Sequence, residues 1–248
     1  MPRTPHIELG DGTRIPILYE DRSVLALDKP AGWILVPHSW QKTQRNLQAA
    51  IVSSIGAGQF WARSRNLKFL RYAHRLDGET SGVLLLAKSP GALETLSHLF
   101  ESRKMEKVYL AVVRGRPEET TWTCRLKLAP DPSRIGRMGV DARRGKEAET
   151  HFRVLRSGPE TSLLEARPFT GRTHQIRVHL CECGYPVVGD PLYGADREPT
   201  RSLRRAEAHS ALALRAIFLG YLDPFTGRRV QIRAPVEEFL QVFGHLPV

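Results

Sequence analysis

Apolar positions along the chain come in short bursts of two periods, and the alternation between those periods marks out strands and a few helices. Ile15 to Tyr19 reads as an opening strand, Asp21-Arg22 as a turn, and Ser23 to Asp28 as a second strand around Val24-Leu25-Ala26-Leu27. Lys29-Pro30-Ala31-Gly32 ends that strand, because proline lacks an amide donor and glycine turns freely. Residues 41–70 are polar and basic, with Leu47, Ala50, Ile51 and Ser54 spaced for one helix. Val83 to Ala87 is a continuous apolar run of strand length, as a strand buried on both faces requires. Ser89-Pro90 opens a helix, serine as cap and proline in the first turn, and Leu93, Leu96, Leu99 and Phe100 recur at helical spacing to about Arg103.

In the second half, residues 106–114 form a strand rich in Val and Tyr, whose alternation puts Lys107, Tyr109, Ala111 and Val113 on one face. An arginine-rich loop spans 131–146, and strands cover 149–156 and 162–168. Thr173 is placed to cap a helix on which Ile176, Leu180 and Cys183 share one face, with Gly184 just past its end. On the same helix His174, Arg177 and Cys181 share another face, so Arg177 can turn inward toward an acid. Strands at about 214–221 and 228–233 flank Asp223-Pro224-Phe225-Thr226-Gly227, which is hairpin chemistry. Strands mixed with few helices, without regular βαβ alternation, define the fold class as α+β.

Composition adds partners and surroundings to this outline. With 41% hydrophobic and 25% charged residues the 248-residue chain is an ordinary globular protein. No linker or fixed repeat divides it, so one domain over 1–248 is expected, with 1–16 as a short N-terminal extension. The longest apolar runs are far too short to span a membrane, and the opening MPRTPHIELGDGTRIP holds no secretory signal. Three cysteines give no disulfide framework and fit a reducing, cytoplasmic setting. The 37 basic residues, 29 of them arginine and 8 lysine, exceed the 26 acidic ones by 11, which favours a polyanionic partner, whether nucleic acid, a membrane surface or something smaller.

Four segments are candidates for chemistry. Tyr72 to Gly82 contains His74, Arg75, Asp77 and Thr80, and the glycines around Asp77 suit a tight turn whose amides surround a carboxylate. An Asx-type turn satisfying only itself is the plainer reading. Phe169 to Leu180 packs Thr170, Arg172, His174, Gln175, Arg177 and His179 closely, a costly set to place near a core without partners. A solvated basic face is the plainer reading there, disfavoured because cations oppose the positive end of a helix. Lys107 to Gly115 carries Tyr109, which is either core packing or a ring presented to a base. Val187 to Gly194 is a compact turn, structural by default.

Metal and cofactor signatures fail. His174 and His179 are about 140° apart on a helix, and Cys181 with Cys183 lacks the spacing of zinc ligands. There is no phosphate-binding loop, no dinucleotide fingerprint and no Gly-x-Ser-x-Gly elbow.

The residues nevertheless form a familiar series. His74-Arg75-Leu76-Asp77-x-x-Thr80-Ser81-Gly82, followed by Ala87-Lys88, resembles the central motif of the RluA-type pseudouridine synthases. Asp28-Lys29-Pro30-Ala31-Gly32 resembles that family's opening motif and Lys107-x-Tyr109-x-Ala111 its tyrosine strand. Thr170 to His179 and Gly189-Asp190-Pro191-Leu192-Tyr193-Gly194 resemble its C-terminal motifs, in the right order, and the similarity runs from about 17 to 243. The resemblance implies a pseudouridine synthase catalytic fold: a mixed, mostly antiparallel central sheet flanked by helices and loops, with a central active-site cleft. It implies isomerisation of uridine in RNA, in which the base is detached, turned and rejoined through carbon 5.

On this resemblance Asp77 matches the essential carboxylate, which attacks the ribose, attacks the base or removes a ribose proton. Tyr109 matches the tyrosine that packs against the base and takes part in loss of the carbon 5 proton, Arg177 the basic partner of the aspartate, and Arg75 the arginine that fills the gap left by the flipped uridine. His74, Thr80, Lys107, Arg172 and His174 are the further expected RNA contacts. Flipping a base costs a few kcal/mol, which stacking on a tyrosine partly offsets, and an arginine beside the aspartate favours its ionised form. The implied partner is structured RNA, ribosomal or transfer, with no cofactor, nucleotide, metal or membrane, acting as a monomer.

The segment before Asp28 is too short for the N-terminal RNA-binding domain of several ribosomal members, which suggests the compact branch. Asp28 stands where Asn is common, and His209-Ser210 where His-Ala is usual. The alternatives are an RNA-binding folding or assembly factor with catalysis secondary, and a basic surface for any polyanion. The arginine clusters at 63–71, 131–146 and 197–205 are candidates for phosphate contacts.

Overall fold

The structure, a computed structural model, describes residues 4–35, 45–194 and 212–244. It resolves into two compact units: Met1–Met105 with Phe218–Ala234, and Glu106–Ile217 with Pro235–Val248.

The first unit holds β1 (His6–Glu8), β2 (Arg14–Glu20), β3 (Val24–Lys29), α1 (Leu47–Gly56), α2 (Phe60–Arg63), β4 (Arg71–Tyr72), β5 (Ser81–Ala87) and α3 (Pro90–Glu101). Strands β1, β2, β3 and β5 lie side by side in that order and antiparallel, with Ile17 opposite Leu27 and Leu25 opposite Leu86. Period-2 alternation sends Val24 and Ala26 into a core with Val83, Leu85, Leu96 and Leu99. The intervening Leu25, Leu27, Leu84 and Leu86 are fully buried too, so Val24–Leu27 of β3 and Val83–Ala87 of β5 are apolar without a break. Helix α3 starts as its sequence demands: the Ser89 hydroxyl accepts the Ala92 amide at 3.2 Å, and Pro90 occupies the first turn.

The second unit holds β6 (Glu106–Arg114), β7 (Thr121–Cys124), β8 (Leu128–Pro130), β9 (Met138–Val140), β10 (Thr150–Ser157), β11 (Thr161–Pro168) and α4 (Gln175–Glu182). Strands β6, β11, β10 and β7 pair antiparallel in that order, with Tyr109 opposite Ala166 and His151 opposite Thr123. Strands β8 and β9 make a separate hairpin. The core gathers Val112, Phe152, Leu164, Ile176 and Leu180. Strand β12 (Leu214–Leu222) begins here and ends in the first unit, where β13 (Arg229–Arg233) pairs with it, Gly220 opposite Gln231. Helix α5 (Glu237–Val242) returns the chain to the second unit.

Helix α4 corrects one expectation. Its cap is His174, not Thr173, and His174 sits in the left-handed region at φ 55° with no side-chain capping bond. A non-glycine residue is held there only when its surroundings fix it, and the His174 ring is so fixed. At the other end Gly184, at φ 87°, takes the left-handed position that lets the Tyr185 amide reach Leu180 O at 2.9 Å. The arginine cluster at 197–205 and His209-Ser210 lie outside the described residues.

Candidate active site

In the first unit the expected catalytic carboxylate stands in the loop that leads into β5. Asp77 is half-buried and its carbonyl accepts the Thr80 amide at 3.1 Å, closing a tight turn. That turn rests on Lys29, which follows Leu25 and Leu27 on the same face of β3 and is fully buried. Lys29 Nζ donates to Gly78 O at 2.8 Å, Thr80 O at 2.8 Å and Pro30 O at 3.0 Å, and the Gly32 amide also donates to Gly78 O at 2.9 Å. Three carbonyls fill the three donors of an ammonium, so the 28–32 and 77–80 segments are fastened together. Burial pushes the Lys29 ammonium down to about 8, against the pull of Glu79 and Asp77.

The neighbours of Asp77 divide between inside and outside. Arg75 and Glu79 are exposed. Thr80 is buried, and its Oγ1 has no hydrogen-bond partner among the described residues. His74 Nε2 accepts the Leu85 amide at 3.1 Å, and the ring stacks on Phe100 at 4.6 Å between centroids. His74 therefore ties the loop to β5 and α3.

In the second unit, Arg177 is buried on α4 and makes a two-pronged bond to Asp190, Nε to Oδ2 at 2.7 Å and Nη2 to Oδ1 at 2.8 Å. Asp190 Oδ1 also accepts the Leu192 and Tyr193 amides at 2.9 and 3.1 Å, so the 189–194 turn is folded around this carboxylate. The Arg177 guanidinium lies 5.1 Å from the Tyr193 ring centroid. The Tyr193 hydroxyl accepts the Met138 amide at 2.8 Å and shares a hydrogen bond with His174 Nδ1 at 2.9 Å. One tyrosine thus joins α4, the 189–194 turn and the β8–β9 hairpin.

The segment before α4 is equally tied. Thr170 Oγ1 donates to Gln175 Oε1 at 2.6 Å while accepting the Glu149 amide, and Gln175 Nε2 donates to Glu149 O and Thr150 Oγ1, both at 2.9 Å. Lys107 Nζ donates to Thr170 O at 2.9 Å, and burial together with Arg172 pushes its ammonium down to about 8. Arg172 Nε donates to Glu147 O at 2.9 Å. Tyr109 is half-buried on β6 and packs against the second unit's core. His179 is buried between Thr150 Oγ1 and Leu126 O, both at 3.0 Å, and burial lowers its affinity for a proton.

Arg177 does turn inward toward an acid, as its helical position allows, and Asp190 is that acid. Sequence reasoning left Asp190 in a structural turn and gave Lys29 no role. Lys29 had a signal, its place two residues beyond Leu27 on a buried strand face. Asp190 had only its nearness to a helix with an inward arginine. Among the described residues there is no group of three or more His, Cys, Asp or Glu placed to hold a metal ion. No described helix is long and apolar enough to cross a membrane.

The first unit therefore offers a carboxylate in a lysine-fastened turn, and the second unit offers a tyrosine on β6 and a buried guanidinium whose geometry is set by Asp190. Comparison with known proteins defines the class. A family model for RNA pseudouridylate synthases matches residues 23–182, and the chain belongs to that family. It is 36% identical over 240 residues to the ribosomal large subunit pseudouridine synthase C of Escherichia coli K12, covering 96% of this chain and 72% of that one. An uncharacterised RNA pseudouridine synthase of Chloroflexus aurantiacus is 43% identical over 170 residues, 68% of this chain and about half, 51%, of its own length. Among solved structures, human RNA pseudouridylate synthase domain containing 1 superposes with a TM-score of 0.67 at 27% identity, covering 89% of this chain and 83% of that one. The α+β fold with a mostly antiparallel sheet is the one these structures share.

Proposed function

We propose that the chain isomerises specific uridines of folded ribosomal RNA to pseudouridine, working without a cofactor as a cytoplasmic monomer. The observation that carries the reading is the turn at Asp77: a buried ammonium fixes the backbone that directly follows one carboxylate. Such fixation holds a reacting group in place before substrate arrives, which is where much of a positioned group's advantage comes from. Asp77 supplies the carboxylate that lets the bond between N1 and the ribose break. The base then turns, carbon 5 bonds to the ribose, N1 gains a proton, and carbon 5 loses its own. Tyr109 lies against the base and takes part in that last proton loss. Arg177, held by Asp190, supplies the positive charge that favours an ionised carboxylate, and Arg75 takes the space that the flipped uridine leaves. The preference for ribosomal RNA is supported by relatives such as the Escherichia coli large-subunit enzyme.

The test uses ribosomal RNA carrying tritium at uridine carbon 5. The wild-type chain releases tritium, and Asp77→Asn binds the same RNA with unchanged affinity and releases none. Turnover by Asp77→Asn removes the assigned role, and no release by the wild type from any cellular RNA removes the reading.

A further inference from the structure

We propose that the β8–β9 hairpin is an RNA wedge: Ile135 at its tip inserts between bases of the folded substrate while Arg134, Arg143 and Arg144 hold neighbouring phosphates. This rests on the reading of the chain as an enzyme of folded RNA. Ile135 is fully exposed, at 106% of its reference area, and stands between exposed Arg134 and Gly136. Single exposed apolar residues are common on protein surfaces, but this one is held out by a turn built to a fixed shape. Asp131 accepts the Ser133 amide at 2.8 Å and the Ser133 hydroxyl at 2.6 Å, and the Asp131 amide donates to Arg137 O at 2.9 Å. A tip stiffened in this way loses little conformational freedom when it enters a stack.

The second turn of the arm presents charge with the same rigidity. Asp141 Oδ1 accepts the Arg143 and Arg144 amides at 2.9 and 2.8 Å, while both side chains stay exposed. The turn closes on Gly145, where an added Cβ would stand 2.3 Å from Asp141 O, so only glycine fits. Between residues 125 and 147 seven basic residues face three acidic ones, and two of those three are the turn-closing Asp131 and Asp141. Apolar wedges flanked by arginines that neutralise phosphates are a known way to unstack and bend a nucleic acid. A protein partner for an apolar tip would call for apolar surroundings, and this tip has cations.

The base of the arm meets the candidate site. The Met138 amide donates to the Tyr193 hydroxyl, and the Arg137 guanidinium lies 5.2 Å from the Tyr193 ring centroid, on the residue that also touches Arg177 and His174. RNA seated on the arm is thereby registered against α4.

The experiment uses the full chain with folded ribosomal RNA transcribed either with tritiated uridine or with 2-aminopurine, whose fluorescence rises on unstacking. Ile135→Ala lowers kcat/KM for tritium release about tenfold, abolishes the fluorescence rise, and leaves the unfolding midpoint unchanged. Ile135→Met, which keeps an apolar wedge, stays within about threefold of wild type. Arg143→Ala weakens RNA binding without removing the fluorescence rise at saturating protein. Equal kcat/KM and equal fluorescence for wild type and Ile135→Ala overturn the wedge. If the wild type releases no tritium from any RNA, the functional reading falls, and the wedge is judged on fluorescence alone: a rise that depends on Ile135 supports it, and a rise that does not overturns it.

Discussion

Replacing Lys29 with methionine separates the stability of the fold from the shape of the Asp77 turn. Lys29 is wholly buried, and burial takes its pKa from 10.5 to about 8. That displacement corresponds to about 3 kcal/mol of disfavour for the charged form at neutral pH, at about 1.4 kcal/mol per pKa unit. Methionine fills a similar volume and removes this term. Against it, Thr80 O and Pro30 O lose their lysine donor, while Gly78 O keeps the Gly32 amide. An orphaned buried carbonyl costs about 1–3 kcal/mol. The opposing terms are of similar size, so the free energy of unfolding by urea changes by less than about 3 kcal/mol. The turn, no longer fastened, drifts, and kcat for tritium release falls at least about tenfold.

The pH dependence gives a second reading of the same residue. An unfolded lysine titrates near 10.5 and the folded Lys29 near 8, so between those values the unfolded chain binds more protons and stability rises with pH. The unfavourable term is fully present below pH 8 and relieved as pH climbs toward 10.5. Lys107 follows the same course, and subtracting the Lys29→Met curve from the wild-type curve isolates Lys29. A difference that declines across this window, or full kcat in Lys29→Met, refutes the reasoning.

Other expectations concern separate parts of the molecule. Asp190→Ala takes both carboxylate bonds from the buried Arg177 guanidinium and should lower the free energy of unfolding by about 3–5 kcal/mol, measured by urea titration; a loss under about 1 kcal/mol would show that Asp190 does not set Arg177. Arg144→Ala should reduce the slope of log affinity against log salt by roughly 0.7 for single-stranded contacts, read by filter binding, with kcat at saturating RNA unchanged. Asp77→Asn should keep affinity and lose turnover in the tritium assay.

The strands and helices were legible because their periods are simple. Val24–Leu27 and Val83–Ala87 are apolar at every position since both faces are covered, and Ser89-Pro90 starts α3 where chain chemistry places it. The cap of α4 was misread because Thr173 has the better capping side chain, while the structure places His174 there through tertiary bonds to Tyr193. No local propensity foretells that. Asp77 and Arg177 stand in recognisable motifs, whereas Asp190 and Lys29 act by meeting residues 13 and about 50 positions away. Pairings at such distances leave no period in the sequence.

The interleaved course of the chain has a consequence for its synthesis. The first unit begins at the N-terminus but takes Phe218–Ala234 as its last piece, and the second unit is completed only by residues beyond Pro235. Neither can finish folding while the ribosome is still translating the middle of the message. At about 5–20 residues per second the N-terminal strands wait roughly 10–40 seconds for β13. During that interval the apolar edge of β5 stands without its late neighbour, β12, and is open to wrong pairing. A message truncated before residue 234 should therefore yield an insoluble product rather than a smaller folded one.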